Sequence, residues 1–331
     1  MKNIIITGSS GLVATELTLY LLDKNEYNLF LLSTSPSKLI ERYKGIECIK
    51  CFTLDEFKIY NQDKNINYHC LINAGFARSS EGDKLAVALQ YTRILMEYAT
   101  TISLKGFVNI SSQSVYGHLT EPLWTEVTSP APDYMYALGK YSTELLSHSI
   151  FGASNVNYTN IRLSSVCENA RFMNIFCKNA INGIPITLTA PDQVTSFIDV
   201  RDVARALYRV IESVGSINFH SVYNLGTNEC YTIREIAQII KTVGKTNYGY
   251  DVDVVEKGAD NTSKIGMDSR LFREIFSWEP TINMVDMVES LYEYNLHTPP
   301  KKNTHHSSTR KDVLNMCDIK EYPRAFDIVY R

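Results

Sequence analysis

Apolar residues in the first half of this chain fall into two alternating rhythms. Short unbroken runs, Asn3-Ile4-Ile5-Ile6-Thr7, Leu29-Phe30-Leu31-Leu32, Cys70-Leu71-Ile72-Asn73 and Phe107-Val108-Asn109-Ile110, predict buried strands. Between them, residues 12–22 and 83–101 repeat their apolar positions at helical spacing. Strand alternating with helix predicts an α/β fold: a doubly wound, Rossmann-like parallel sheet. Right-handed crossovers then bring every strand's C-terminal end to one edge, where ligands bind.

After about residue 165 the rhythm loosens. Helical stretches are expected near 170–182, 200–213, 232–243, 268–276 and 284–296, with strands near 185–189 and 221–225. The organisation read from this is a dinucleotide-binding domain over 1–165 and a smaller mixed α/β lobe over 166–296, partly interwoven with the core. Residues 297–331 are expected to be a polar linker and C-terminal tail. No internal repeat is visible.

Composition narrows the class. The 331 residues are 44% hydrophobic and 21% charged with a formal net charge of −3, so no polyanionic partner such as nucleic acid is implied. No apolar run has the roughly 18 residues a membrane helix needs. The three isoleucines after Asn3 are too few for a signal peptide, so a cytoplasmic location is the expectation. Seven cysteines, an odd number, argue against a disulfide framework. Cys48 and Cys51 form a CxxC, but in a stretch that alternates like a strand, and His305-His306 lie in a polar segment. Neither reads as a metal site.

The turn after the first strand carries chemistry. Gly8-Ser9-Ser10-Gly11-Leu12-Val13-Ala14 has the pattern GxxGxxA between a strand and a helix. Glycines allow a tight turn and close approach of backbone to a pyrophosphate, and the helix N-terminus offers free N–H groups. Ser10, Leu12 and Val13 fall in the same turn, and Ala14 provides the small residue for helix–strand packing. At the end of the second strand an Asp or Glu would bind the ribose 2′-hydroxyl of NAD. Ser33, Thr34 and Ser35 stand there instead, with Lys38 and Arg42 beyond. Hydroxyls and cations suit a 2′-phosphate, so NADP(H) is favoured, with NAD(H) the alternative. The plainer alternative is that these residues only start a helix.

Tyr136-Ala137-Leu138-Gly139-Lys140 is YxxxK, which puts both side chains on one helix face. A Lys ammonium about 4 Å away, at an effective dielectric near 20, supplies roughly 4 kcal/mol. That would lower a phenol pKa by about three units and make Tyr136 an acid/base. Ser112 precedes Tyr136 by 24 residues and ends the strand 107–112, where its hydroxyl can donate to a substrate oxygen.

These segments, with Asn109-Ile110-Ser111-Ser112-Gln113-Ser114-Val115-Tyr116-Gly117, resemble the extended short-chain dehydrogenase/reductases. Among these the chain is similar to the NAD-dependent epimerase/dehydratase family acting on nucleotide sugars. Phe197-Ile198-Asp199-Val200-Arg201-Asp202-Val203-Ala204, Val222-Tyr223-Asn224-Leu225-Gly226 and Phe276-Ser277-Trp278-Glu279-Pro280 extend the resemblance over residues 3–295. It implies Ser112 as hydroxyl donor, Tyr136 as acid/base and Lys140 as its partner and ribose ligand. It implies Ala74 and Gly75 beneath the cofactor and Tyr116 near nicotinamide and substrate.

Departures from the family pattern shape the expected activity. Gln113-Ser114 replace the Asp-Glu pair of the 4,6-dehydratases, so dehydration is not expected. A phosphate-contacting Arg is replaced by Thr195, and an Asn near the diphosphate by Ser165; Lys257 or Lys264 is a candidate for the missing charge. The resemblance implies a keto-reductase or epimerase of a nucleotide sugar, the NADP reading tilting towards a reductase. Two other readings stand beside it: a reductase of small carbonyl compounds, and a non-catalytic dinucleotide sensor. A homodimer is expected through the outer face of the catalytic helix (Met135, Leu138, Ser142, Leu145, Leu146) and the helix carrying Leu85, Leu89, Thr92, Leu95, Met96 and Ala99.

Overall fold

The structure, a computed structural model, describes residues 1–79, 81–117, 123–257 and 264–297. The first half alternates β1 (Lys2–Thr7), α1 (Leu12–Lys24), β2 (Tyr27–Leu32), α2 (Ser37–Arg42), β3 (Ile49–Phe52), α3 (Leu54–Asn61), β4 (Tyr68–Asn73), α4 (Gly82–Ala99), β5 (Leu104–Ser112), α5 (Met135–Phe151) and β6 (Asn157–Leu163). Shorter elements follow: β7 (Ser165–Val166), α6 (Arg171–Ile181), β8 (Ile186–Leu188), β9 (Val194–Thr195), β10 (Phe197–Ile198), α7 (Val200–Ser213), β11 (Val222–Leu225), β12 (Tyr231–Thr232), α8 (Ile233–Tyr248), β13 (Val254–Glu256), α9 (Arg270–Phe276) and α10 (Met284–His297). Apart from His297, the expected linker and tail over 297–331 lie outside the described residues.

Seven strands form one parallel sheet in the order β11-β6-β5-β4-β1-β2-β3. The order reverses between β1 and β4, and in such sheets the crevice beyond those strand ends is where ligands bind. Both faces are covered, which explains the unbroken apolar runs. Ile4 and Ile6 pack towards α1 and α7 with Leu17, Leu21, Val203 and Leu207. Ile5 points the other way, to Phe57 of α3 and Leu95 and Met96 of α4. A separate core joins α6, α8 and α10.

Two assignments change. The strand near 221–225, expected in the second lobe, is β11 and pairs with β6 at the edge of the main sheet. Helix α7 packs across α1, so the chain returns to the first core after leaving it. The sequence pattern also passed over β6, Asn157-Tyr158-Thr159-Asn160-Ile161-Arg162-Leu163. Its Asn160 and Arg162 are buried because they have partners. Thr7, Asn73, Asn109 and Asn160 stand level with one another on four neighbouring strands. They bond in series: Thr7 Oγ1 to Asn73 Oδ1 (2.7 Å), Asn73 Nδ2 to Asn109 Oδ1 (3.0 Å), Asn109 Nδ2 to Asn160 Oδ1 (2.9 Å). A fully satisfied row of this kind fixes strand register, because a slip would strand every amide without a partner.

Candidate active site

A cavity of about 980 Å³ opens at the C-terminal edge of the sheet. Its floor is the glycine turn. Gly8 has φ +64°, and a Cβ there would come within 2.5 Å of the Gly75 Cα, so the turns after β1 and β4 can only meet as backbone against backbone. Gly11 N donates to Gly8 O (2.8 Å), and Gly11 caps α1 without a side-chain hydrogen bond. The first-turn N–H groups of α1 therefore face the cavity without a capping side chain. Gly8, Gly11, Leu12 and Val13 line it, and Ala14, 1% exposed, seats the helix on the sheet. An uncapped helix start over side-chain-free backbone fits a dinucleotide pyrophosphate. Ala74 lines the same floor, while Gly75 supports it from behind. Ser10 is exposed and outside the cavity.

The β2 end is placed differently from expectation. Ser33 is buried and its Oγ accepts from Ser35 N (3.2 Å), a local turn. Thr34, Ser35 and Lys38 are exposed and do not line the cavity, and α2 starts from Pro36 with no side-chain cap.

Ser112, Ser114, Tyr136 and Lys140 all line the cavity, from β5, the turn after it and α5. Helix α5 is unusual in presenting a polar face to the sheet. Lys140, Thr143, Glu144 and Ser147 are all buried, at spacings of three and four. Each is tied down. Lys140 Nζ donates to Ile110 O (2.7 Å), Asn109 Nδ2 donates to Thr143 Oγ1 (2.9 Å), and Ser147 Oγ donates to Asn160 Oδ1 (2.9 Å). Glu144 accepts from Ser111 Oγ and forks with Arg162, Nη2 to Oε2 at 2.8 Å and Nε to Oε1 at 3.1 Å. Helix α5 is thus bolted to β5 and β6.

The electrostatics correct the sequence expectation. Lys140 Nζ lies 6.0 Å from the Tyr136 ring centroid and is aimed at the Ile110 carbonyl. Burial dominates at both groups. It raises the Tyr136 phenol, opposed by the charge of Arg78 and by the Ser112 hydroxyl. It lowers Lys140 to about 8, opposed by the Glu144 carboxylate. The depression of Tyr136 by Lys140 that the spacing predicts is absent here.

Several neighbours of Tyr136 carry no sequence signal. The Phe76 ring meets the Tyr136 ring edge-on at 6.1 Å and lies 4.9 Å from Lys140 Nζ. Gly139 makes room for it, since a Cβ there would lie 2.8 Å from Phe76 Cζ. Tyr134 stacks on Tyr136 at 6.3 Å. Arg78, Asp133, Asn169 and Arg171 also line the cavity. No pattern in the sequence singles them out.

On the substrate side, Ser165 and Thr195 line the cavity, and Ser165 accepts from Gln113 Nε2 (2.8 Å). Tyr116 is corrected. It is fully buried outside the cavity lining, stacked on Trp124, with its hydroxyl bonded to Asn224 Oδ1 (2.7 Å) and Thr125 O (3.0 Å). Arg162 covers its ring at 4.7 Å, so the tyrosine braces the site from behind. Lys257 is likewise corrected: it is exposed beyond β13 and does not line the cavity. No group of three or more potential metal ligands occurs among the described residues, and none of their helices is long and apolar enough to cross a membrane. Among the described cysteines Cys48 and Cys51 are both free thiols.

This arrangement has relatives. Over 320 residues the chain is 22% identical to a low-salt glycan biosynthesis protein of Haloferax volcanii, covering 89% of this chain and 98% of that one. It is 24% identical to a dTDP-glucose 4,6-dehydratase of Streptomyces niveus, covering 87% and 85%. Among solved structures, a UDP-N-acetylglucosamine 4-epimerase from Bacillus cereus superposes with a TM-score of 0.75 at 17% identity, over 88% of this chain and 99% of that one. A UDP-glucuronic acid 4-epimerase from the same organism, in complex with a fluorinated UDP-glucuronic acid and NAD, does so with a TM-score of 0.74 at 19% identity, over 88% and 98%. The family model described as NAD dependent epimerase/dehydratase family matches residues 4–226. With two thirds of its length matched, and with the glycine turn and YxxxK helix on one cavity, the chain belongs to the NAD-dependent epimerase/dehydratase family.

Proposed function

We propose that this protein interconverts a secondary alcohol and its ketone on a nucleotide-activated sugar, as an epimerase or keto-reductase. The observation that carries this is the convergence of Ser112, Tyr136 and Lys140 on the cavity floored by Gly8 and Gly11. Bound nicotinamide supplies the hydride acceptor and donor. Tyr136 Oη takes the proton from the substrate hydroxyl on oxidation and returns it on reduction. Ser112 Oγ donates a hydrogen bond to the same oxygen, the charge of Arg78 favours the phenolate as it forms, and Lys140, on the same helix face, is the candidate ribose ligand. Gln113 and Ser114 carry no ionisable group, which speaks against elimination. The test is to incubate the protein with nucleotide sugars and follow the sugar protons by NMR. An epimer formed with catalytic dinucleotide supports epimerisation, and stoichiometric consumption of reduced dinucleotide supports reduction. No turnover of any nucleotide sugar overturns the reading.

For the dinucleotide, the family description names NAD, and the glucuronic acid epimerase structure holds NAD. The NADP(H) expectation rests only on the β2 end, where Thr34, Ser35 and Lys38 are exposed and no carboxylate stands at residues 33–35. Without an acid there, nothing repels a 2′-phosphate. We expect NADP(H) to bind within about tenfold of NAD(H), a difference of about 1.4 kcal/mol. Fluorescence titration of both decides it. A hundredfold preference for NAD(H) would show that the β2 end selects by some other means.

A homodimer through α5 is part of the same reading. Leu138 and Leu145 are 47% and 53% exposed on its outer face, with Met135 beside them. The α4 residues expected to share the interface mostly face inward instead: Leu85, Thr92, Leu95, Met96 and Ala99 are buried. Light scattering is expected to give about twice the 37.6 kDa chain mass. A monomer mass would mean that another surface or segment covers α5.

A further inference from the structure

Lys140 carries its charge with little water around it. The residue is 6% exposed, and its Nζ donates to the Ile110 carbonyl 2.7 Å away. The titratable groups around it are Tyr136 and Glu144 on its own helix, Arg162 of β6, and Arg78, Asp133 and Tyr134 on the cavity wall. Glu144 acts on the ammonium through space, from the position where it forks with Arg162.

An aromatic face stands closer. Lys140 Nζ lies over the Phe76 ring, 4.9 Å from its centroid, inside the roughly 6 Å reach of a cation–π contact. The Tyr136 ring, at 6.0 Å, is at the limit of that reach. Phe76 also meets Tyr136 edge-on at 6.1 Å, so one ring borders both members of the YxxxK pair. Its place is fixed from two sides. Gly75, just before it, packs backbone to backbone against Gly8 of the glycine turn. Gly139, inside the YxxxK segment, leaves room for the ring: a Cβ there would collide with Leu85 of α4 and lie 2.8 Å from Phe76 Cζ. The face of an aromatic ring is its negative side, and its attraction for a cation grows when water is excluded.

We propose that Phe76 is a positioning residue for Lys140: its π face holds the side chain in its charged form and seats the ammonium against the Ile110 carbonyl, on the helix face it shares with Tyr136. The inference rests on the reading above of Lys140 as a working member of the site; the contact between ring and ammonium stands without it. Burial lowers Lys140 to about 8, so the charge is held only narrowly above neutral pH. Any group that favours the ammonium then sets how far into the alkaline range the charge survives. Taking the π face away disfavours the charged form and lowers the pKa. Every function of the Lys140 charge is then lost at lower pH. A leucine at 76 keeps an apolar side chain there and has no such face.

The test is an NMR titration of the full chain carrying isotope-labelled lysine, in which the Lys140 signal is the one lost in Lys140→Gln. Lys140 is expected to titrate at about 8 in the wild type. Phe76→Leu should lower that value by about 0.5–1.5 units, the equivalent of one cation–π contact. Monofluoro- and trifluorophenylalanine at position 76 nearly preserve the shape of the ring and weaken its π face in steps, so Lys140 should titrate lower in the same order. Phe76→Trp, with the strongest face, should hold or raise the value. The alkaline fall in kcat/KM should follow the Lys140 value from variant to variant. An unchanged Lys140 titration in the trifluorinated protein overturns the proposal, and that variant keeps the packing that Phe76→Leu alters. A Lys140 that shifts while the alkaline fall stays in place overturns the positioning role and spares the assignment of Tyr136. A chain that turns over no nucleotide sugar overturns the functional reading, and the titration still decides the contact.

Discussion

Tyr136→Phe is expected to lower kcat by about 10²–10⁴-fold, the range for loss of a general acid–base group, while dinucleotide affinity changes little. The substitution removes one hydroxyl and keeps the ring that packs against Phe76 and Tyr134. Retention of more than about a tenth of the activity would exclude Tyr136 as the proton-transfer group. The pH profile adds a second reading. Folding lowers Lys140 from 10.5 to about 8 by burial. Between those values the folded chain binds fewer protons than the unfolded one, so this group makes stability rise with pH across that window. Activity that needs the Lys140 ammonium falls across the same window. Stability and kcat/KM moving in opposite directions above pH 8 would identify Lys140 as the titrating group. An activity flat up to pH 10 would remove its charge from the mechanism.

The second large effect concerns stability. Glu144 and Arg162 are each only 4% exposed, and their fork is buried between α5 and β6. Glu144→Ala leaves a guanidinium in the interior without its carboxylate and is expected to cost about 3–5 kcal/mol. That is a large share of the roughly 5–15 kcal/mol typical of a whole domain. Urea unfolding measures it. The double variant Glu144→Gln, Arg162→Met is expected to be less damaging than the sum of its parts, because replacing a buried pair with neutral groups removes both desolvation penalties. A Glu144→Ala cost below about 1 kcal/mol would place the pair among weakly coupled surface bridges. Function follows from the same contact. Glu144 opposes the burial that lowers Lys140, so Glu144→Gln should move the alkaline fall in activity to lower pH.

How much of this was legible in the sequence depends on what each feature is made of. The glycine turn and YxxxK were readable because their parts lie within one or two turns of each other. Local geometry alone puts Gly8 beside Gly11 and Tyr136 on the face of Lys140. The four apolar strands were readable because burial on both faces of a parallel sheet demands unbroken apolar runs. Strand β6 was not, because Thr159, Asn160 and Arg162 make it look like a loop until the partners of Asn160 and Arg162 on β5 and α5 are in place. The strand at 222–225 was visible, but not its home, because pairing with β6 depends on where α7 carries the chain.

The sequence by itself determined the fold class and singled out the glycine turn and the YxxxK pair, since each follows from short-range periodicity. Tertiary structure alone decided what those residues experience. Lys140 points to the Ile110 carbonyl rather than to the phenol. The cation acting on Tyr136 is Arg78, brought from the far side of the β4 crossover. Tyr116, which the family resemblance places near nicotinamide and substrate, is locked behind the site by Asn224, Trp124 and Arg162. Desolvation and the distance between charges set these outcomes. Both depend on strand order and packing, which the spacing of residues along a chain does not encode.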